Sequence, residues 1–168
     1  MKNTRNSVIT GDIKSGNGEQ NTSMVFIQGN IPSSKNSKVA TKAGVFHSKA
    51  VGKFLRDQGI VHYSAGRKEV TYYKTKPCVF PVKELRSMLA SSESSQQKMP
   101  IKLGIHFVRQ TKAKFDFHNI CQILFDLMVA FDIIEDDNMD CILPFPMQMN
   151  GNWYSVDKLN PGVYIAVL

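Results

Sequence analysis

IKLGIHFVRQTKAKFDFHNICQILFDLMVAFDIIEDDNMDCILPF, residues 101–145, is the stretch whose reading decides the fold. It opens on a loosely alternating apolar run, 101–108, that reads as a central strand leading into a basic turn, 109–114. Ile120, Ile123, Leu124, Leu127, Met128 and Phe131 then recur at helical spacing and define one apolar stripe. Asn119, Gln122 and Asp126 fall roughly 130° away at about 100° per residue, on a coherent polar face. Asp116 stands where an N-cap or first-turn residue belongs. An acidic turn follows the helix, and a second strand is predicted over 139–143. The expected class is α/β, a small mixed sheet with helices packed on it.

Outward from this unit, residues 24–28 (MVFIQ) read as a first strand closed by Gly29. A loop rich in Ser, Asn, Gly and Lys follows, made basic by Lys35, Lys38 and Lys42. Ser48 is placed to cap a helix over 49–58, with Val51, Phe54 and Leu55 as its apolar stripe and Gly59 as its stop. Residues 60–80 predict a hairpin around Ala65 and Gly66, and 81–92 a second helix with Pro81 near its start. A polar linker is expected over 91–97. Asn150 and Gly151 signal a tight hairpin, with Trp153 either packed against it, the favoured reading, or stacked on a base, and a last strand is predicted over 163–168. Residues 1–22, rich in Gly and Asn, read as a flexible polar tail before a single domain over 23–168. They hold no apolar core of a signal peptide, and no run reaches the roughly 18 apolar residues of a membrane span, so a cytoplasmic protein is expected. Cys78, Cys121 and Cys141 are odd in number and lack any C-x-x-C spacing, which predicts buried free thiols rather than disulfides or a zinc ribbon.

The charge is segregated. The chain carries 21 Lys and Arg against 14 Asp and Glu, yet between Phe115 and Asp157 there are eight carboxylates and no Lys or Arg. A body with a pI of about 9.4 suits a polyanion such as nucleic acid. An acidic island inside it is what a metal-dependent nuclease requires: side-chain cations hold phosphates, and carboxylates hold the divalent ion. Read from the residues alone, Asp116 is either a helix cap or a ligand, and the Glu-Asp-Asp run is either a solvated turn or part of a site. His118 is either a surface histidine or a ligand. A helix of about 15 residues spans some 22 Å, so Asp116 and Asp137 share one metal only if the chain folds back. The expectation is that the loop after Asp132 and the strand beyond it return Asp137 to the helix start.

Asp116, Phe117, His118, Asn119, then Gln122, Asp126 and the pair Asp136 and Asp137, resemble the D-x-D-N-x-x-K-x-x-x-D signature and following acidic pair of the RusA family of Holliday-junction resolvases. IPSSKNSK (residues 31–38) is similar to that family's Pro-Ser-x-Asn loop, and NPGVYIAVL (160–168) to its closing strand. The resemblance covers 25–168, with an expanded middle over 61–97. It implies a phage-type homodimeric endonuclease, in the host cytoplasm, that nicks branched DNA such as a four-way junction with Mg²⁺ or Mn²⁺. Asp116, His118, Asp136 and Asp137 would be catalytic, with Asp116, His118 and Asp137 as metal ligands. Asn119, Gln122 and Asp126 would support them, and Lys35, Lys38, Lys42, Arg109, Lys112 and Lys114 would contact DNA. Two positions depart from the pattern. His118 stands for an Asp, which favours Mn²⁺ over Mg²⁺, and Gln122 stands for a Lys.

The competing reading is a branched-DNA-binding dimer with a degenerate metal site that no longer cuts. A third reading, a protein-interaction module with an acidic face, predicts no steep salt dependence of DNA affinity.

Overall fold

The computed structural model describes residues 8–15, 18–33, 38–41, 44–64, 70–74, 78–93 and 100–168. The organising element is the β7–α3–β8 unit. β7 (Ile101–Arg109) is buried at every position from Leu103 to Val108, as a strand covered on both faces must be. α3 (Phe117–Ala130) buries Ile120, Ile123, Leu124, Leu127 and Met128, the predicted stripe, together with Cys121 and Phe125. β8 (Ile142–Pro146) returns parallel to β7, with Ile101 opposite Ile142 and Ile105 opposite Pro146. β8 begins three residues later than predicted. Asn138 closes a turn first, its carbonyl accepting from the Cys141 and Ile142 amides at 3.1 and 3.0 Å.

Around this unit the sheet runs β1-β2-β10-β7-β8, a mixed α/β arrangement as expected. β2 (Gly18–Gln28) and β10 (Gly162–Val167) pair antiparallel, and β10 pairs antiparallel with β7. β9 (Tyr154–Val156) lies parallel to β7 beyond the end of β8, opposite Phe107–Arg109, so β8 and β9 share one edge of β7 in tandem. The polar segment 1–22, expected above to be a flexible tail, instead supplies β1 (Val8–Ser15) and the start of β2. An edge strand is held by backbone pairing and needs no apolar side chains, so composition alone misses it.

The helices pack on one face of the sheet. α1 (Lys49–Asp57) starts at Ser48 as predicted, the serine hydroxyl accepting from the Val51 amide at 3.4 Å. α2 (Val82–Glu93) extends into the expected linker. Ile101, Leu103, Ile105 and Phe107 of β7 join α1, α2 and α3 in one apolar core with Val25, Ile27, Val163 and Ile165. The opposite face is thinner: Met24, Met147 and Ala166, with Met149 and Tyr164 against them. β3 (Lys38–Thr41) with β4 (Gly44–His47), and β5 (Ile60–Ser64) with β6 (Val70–Lys74), form two separate hairpins. The second is the predicted one, and its Ala65–Gly66 turn lies outside the described residues. All three cysteines are free, but only Cys121 is buried; Cys78 is exposed and Cys141 half-buried. Burial and the nearby Asp116 charge push the Cys121 thiol up to about 12, so it stays protonated and inert. No helix among the described residues is long and apolar enough to cross a membrane.

Candidate metal and nucleic-acid site

Asp116 caps α3. Its Oδ1 accepts from the amides of His118 at 3.0 Å and Asn119 at 3.3 Å, satisfying two of the donors that every helix N-terminus leaves unpaired. Both bonds fall on one oxygen, and Oδ2 has no hydrogen-bond partner among the described residues. His118 follows with 87% of its side chain exposed and Nδ1 4.0 Å from Asp116 Oδ1. Cap and ligand are thus compatible roles for Asp116: one oxygen holds the helix, the other is left without a partner among the described residues, and the side chain is 56% exposed. Asn119 is half-buried, Gln122 exposed and Asp126 half-buried, along the predicted polar face of α3.

Asp136 and Asp137 lie beyond the other end. The helix stops in a tight αL turn: Asp132 has φ 55°, its amide donates to Val129 O at 2.9 Å, and the Ile133 amide donates to Met128 O at 2.8 Å. Arg86 of α2 donates from Nη2 to Phe131 O at 2.9 Å and Asp132 O at 3.2 Å, placing a cation on the last carbonyls. Lys74 of β6 pairs with the Asp132 carboxylate at 2.6 Å and, with it, holds that carboxyl below its ordinary range. Asp136 organises the next loop. Its Oδ1 accepts from the Asp137 amide at 2.8 Å and its Oδ2 from Asn138 Nδ2 at 2.7 Å, which lowers its pKa. Asp136 therefore serves its own loop, while Asp137 is exposed beside it.

The chain does not fold back as anticipated. β8 pairs parallel to β7 and starts opposite Ile101, so the loop carrying Asp137 sits at the beginning of β7, whereas Asp116 follows its end. Residues 117–130 separate the two groups by one helix length, about 21 Å at 1.5 Å per residue. Asp116 and His118 come together and Asp136 and Asp137 come together, but the two pairs do not meet within one chain. Among the described residues no group of three or more His, Cys, Asp or Glu side chains is placed to hold a metal ion.

The cations divide. Arg109 is half-buried and engaged: its Nη1 donates to Ile31 O at 2.9 Å, and its guanidinium lies 5.0 Å from the Phe115 ring centroid. Burial lowers its pKa, and its Nε is buried without a partner among the described residues. It ties the loop after β2 to the basic turn, a structural task the sequence did not announce. Lys112 and Lys114 are exposed. Lys38 opens β3, and Lys35 and Lys42 lie outside the described residues.

Three features escaped the sequence reading. His106 is 1% exposed on the thin face of the sheet, with Nδ1 3.0 Å from Met147 O and Nε2 2.8 Å from Ser155 Oγ. A carbonyl only accepts, so Nδ1 carries the proton and Nε2 accepts from the serine hydroxyl. Burial holds this histidine below its ordinary pKa. Trp153, expected to pack on its hairpin, is instead 59% exposed. Next to it, the Tyr154 ring meets Phe115 edge-on at 5.3 Å, one residue from Asp116. The only advance signal for these contacts was the concentration of aromatic residues in both segments. Comparison with protein-family models gives no match to the chain, and comparison with curated proteins gives none either.

Proposed function

We propose that the chain is a Mg²⁺- or Mn²⁺-dependent endonuclease that nicks branched DNA as a homodimer, with each metal site shared between two copies. One observation carries the reading: outward-facing donors at both ends of a single helix, Asp116 and His118 at its start and Asp137 beyond its end. A two-fold axis crossing α3 at the level of Leu124 runs two copies of the helix antiparallel. Gln122 of one copy then faces Asp126 of the other, and the Asp116 end of each lies beside the Asp137 end of its mate. Two such sites suit a four-way junction, which is itself nearly two-fold symmetric.

A divalent ion bound there supplies a Lewis acid for a phosphate oxygen and lowers the pKa of a coordinated water. Asp116 Oδ2, His118 and Asp137 would hold it. Imidazole in the set favours Mn²⁺ over Mg²⁺. Exposed Lys112 and Lys114, together with Lys35, Lys38 and Lys42, supply phosphate contacts that read shape rather than sequence. The resemblance to the RusA signature supports the reading independently of the geometry. Gln122, in place of a Lys, favours the competing reading of a dimer that binds branched DNA without cutting.

The test is nicking of a synthetic four-way junction in Mn²⁺. Wild type nicks; Asp116→Asn and Asp137→Asn, each alone, do not. Mixing the two dead variants restores single nicks, because a heterodimer then has one site built from two intact halves. If each site lies within one chain, mixing restores nothing. Wild type that leaves the junction uncut in every divalent metal, while still binding it, would establish the non-cutting reading.

A further inference from the structure

We infer that Trp153 is a stacking platform for an unpaired base at the DNA branch, set beside the basic turn that follows β7; this rests on the DNA reading above. Trp153 is the chain's one tryptophan, and no ring or hydrogen-bond partner among the described residues holds it. It stands on a fixed excursion. β8 ends at Pro146 and β9 resumes at Tyr154 along the same edge of β7, so the residues between project from the sheet. Asn150 and Gly151, at φ 50° and 77°, make the tight turn, and Met149 and Asn152 exchange both backbone hydrogen bonds at 3.0 Å. Buried His106 grips both feet, through Met147 O and Ser155 Oγ. Trp153 thus holds a large ring 59% exposed on an anchored arm.

The surroundings specify what covers it. Tyr154 leads by ring contact to Phe115, which lies under the Arg109 guanidinium and adjoins Asp116. Lys112 and Lys114 are exposed on the turn and Lys158 beyond β9; Asp157 between them is tied to its own turn, its Oδ1 accepting from the Leu159 and Asn160 amides at 2.8 and 3.0 Å, and keeps its charge. An exposed indole with lysines on the turn after β7 and beyond β9 suits a nucleotide, whose base stacks while its phosphate is neutralised. A second copy of the chain fits less well. Cys141 O and Met147 N bond to β7, so alternation turns the backbone of Pro144 and Pro146 toward the open edge, where neither can donate to an added strand.

The experiment uses the full chain in EDTA, so that nothing is cut. Tryptophan emission and fluorescence anisotropy are followed as a four-way junction, a single-stranded oligothymidine or a blunt duplex is added. The junction and the single strand should quench Trp153 and the duplex should not. Trp153→Ala should weaken junction binding about tenfold or more and leave duplex binding unchanged, while Trp153→Phe should recover most of the loss. Salt-dependent junction binding that is equal in wild type and Trp153→Ala, with emission unmoved, overturns the stacking role and leaves the DNA reading intact. No salt-dependent binding to any of the three DNAs overturns both. Emission that follows protein concentration instead, with Trp153→Ala sedimenting as a monomer where wild type is a dimer, overturns the proposal in favour of a subunit interface.

Discussion

The two ends of α3 are closed by opposite means. Its N-terminus is closed locally, by the side chain of the residue just before it: Asp116 takes two amides on one oxygen. Its C-terminus is closed from a distance. Arg86 comes from α2 to the last carbonyls, and Lys74 comes from β6 to a carboxylate held at positive φ. The local cap uses one oxygen of its carboxylate and leaves the other without a partner among the described residues. The distant closure consumes the charges it brings. All the carboxylates after the helix are exposed, but Asp132 is paired with Lys74 and Asp136 is bonded within its loop, whereas Asp137 beside them accepts no bond from Lys74 or Asn138. A cluster of carboxylates in sequence is therefore not one site: neighbouring acids here divide into a helix stop, a loop organiser and a candidate ligand.

The contrast breaks most visibly at the distant end. Arg86→Met keeps the aliphatic stem but removes both bonds to Phe131 O and Asp132 O. Hydrogen bonds involving a charged group contribute about 1.5–3 kcal/mol when partly buried, and one of these two is exposed, so a loss of about 2 kcal/mol is expected in urea unfolding. A change within 0.5 kcal/mol, on the order of an ordinary surface substitution, would show that the αL turn closes the helix without help.

At the local end the effect on stability is smaller and the chemistry is separable. Asp116→Ala should cost about 1 kcal/mol as a lost N-cap, whereas Asp116→Asn, whose side-chain oxygen accepts equally well, should stay within about 0.5 kcal/mol of wild type. Junction nicking should be lost in both. Nicking that survives in Asp116→Asn and falls only in Asp116→Ala would reduce Asp116 to a cap.

This division also explains what the sequence could reveal. The apolar stripe of α3, the Ser48 and Asp116 caps and the Asn-Gly turn were legible, because each depends on residues within a turn or two of one another. The return of β8 was anticipated, but not the consequence of its direction. A parallel strand starts beside the start of its neighbour, and that keeps Asp137 a helix length from Asp116. Arg109 read as a phosphate contact from its place in the basic turn, where it could stand in for the Lys that Gln122 replaces; its bond to Ile31 crosses 78 residues and leaves no local trace. Arg86 and Phe131 are 45 apart, and His106 and Met147 are 41 apart. Side chains whose partners lie so far along the chain have no periodicity to betray them.

The finest test lies at Asp132, where backbone and charge oppose each other. A non-glycine residue at positive φ costs roughly 1 kcal/mol, which glycine removes. Asp132→Gly also gives up the ion pair with Lys74, a pairing that water weakens because both side chains are well exposed. At neutral pH the two changes nearly cancel, and unfolding midpoints should agree closely. Acid separates them. The Asp132 carboxyl is lowered in the folded chain from its ordinary 3.8, so its contribution is fully present above that value and is lost as pH falls through the lower folded one. The glycine variant has no such contribution to lose. The stability of Asp132→Gly relative to wild type should therefore rise as the pH drops from 7 toward 3, by an amount that high salt erases. A difference that stays flat with pH would mean that Lys74 contributes nothing to the helix end, leaving Arg86 to close it alone.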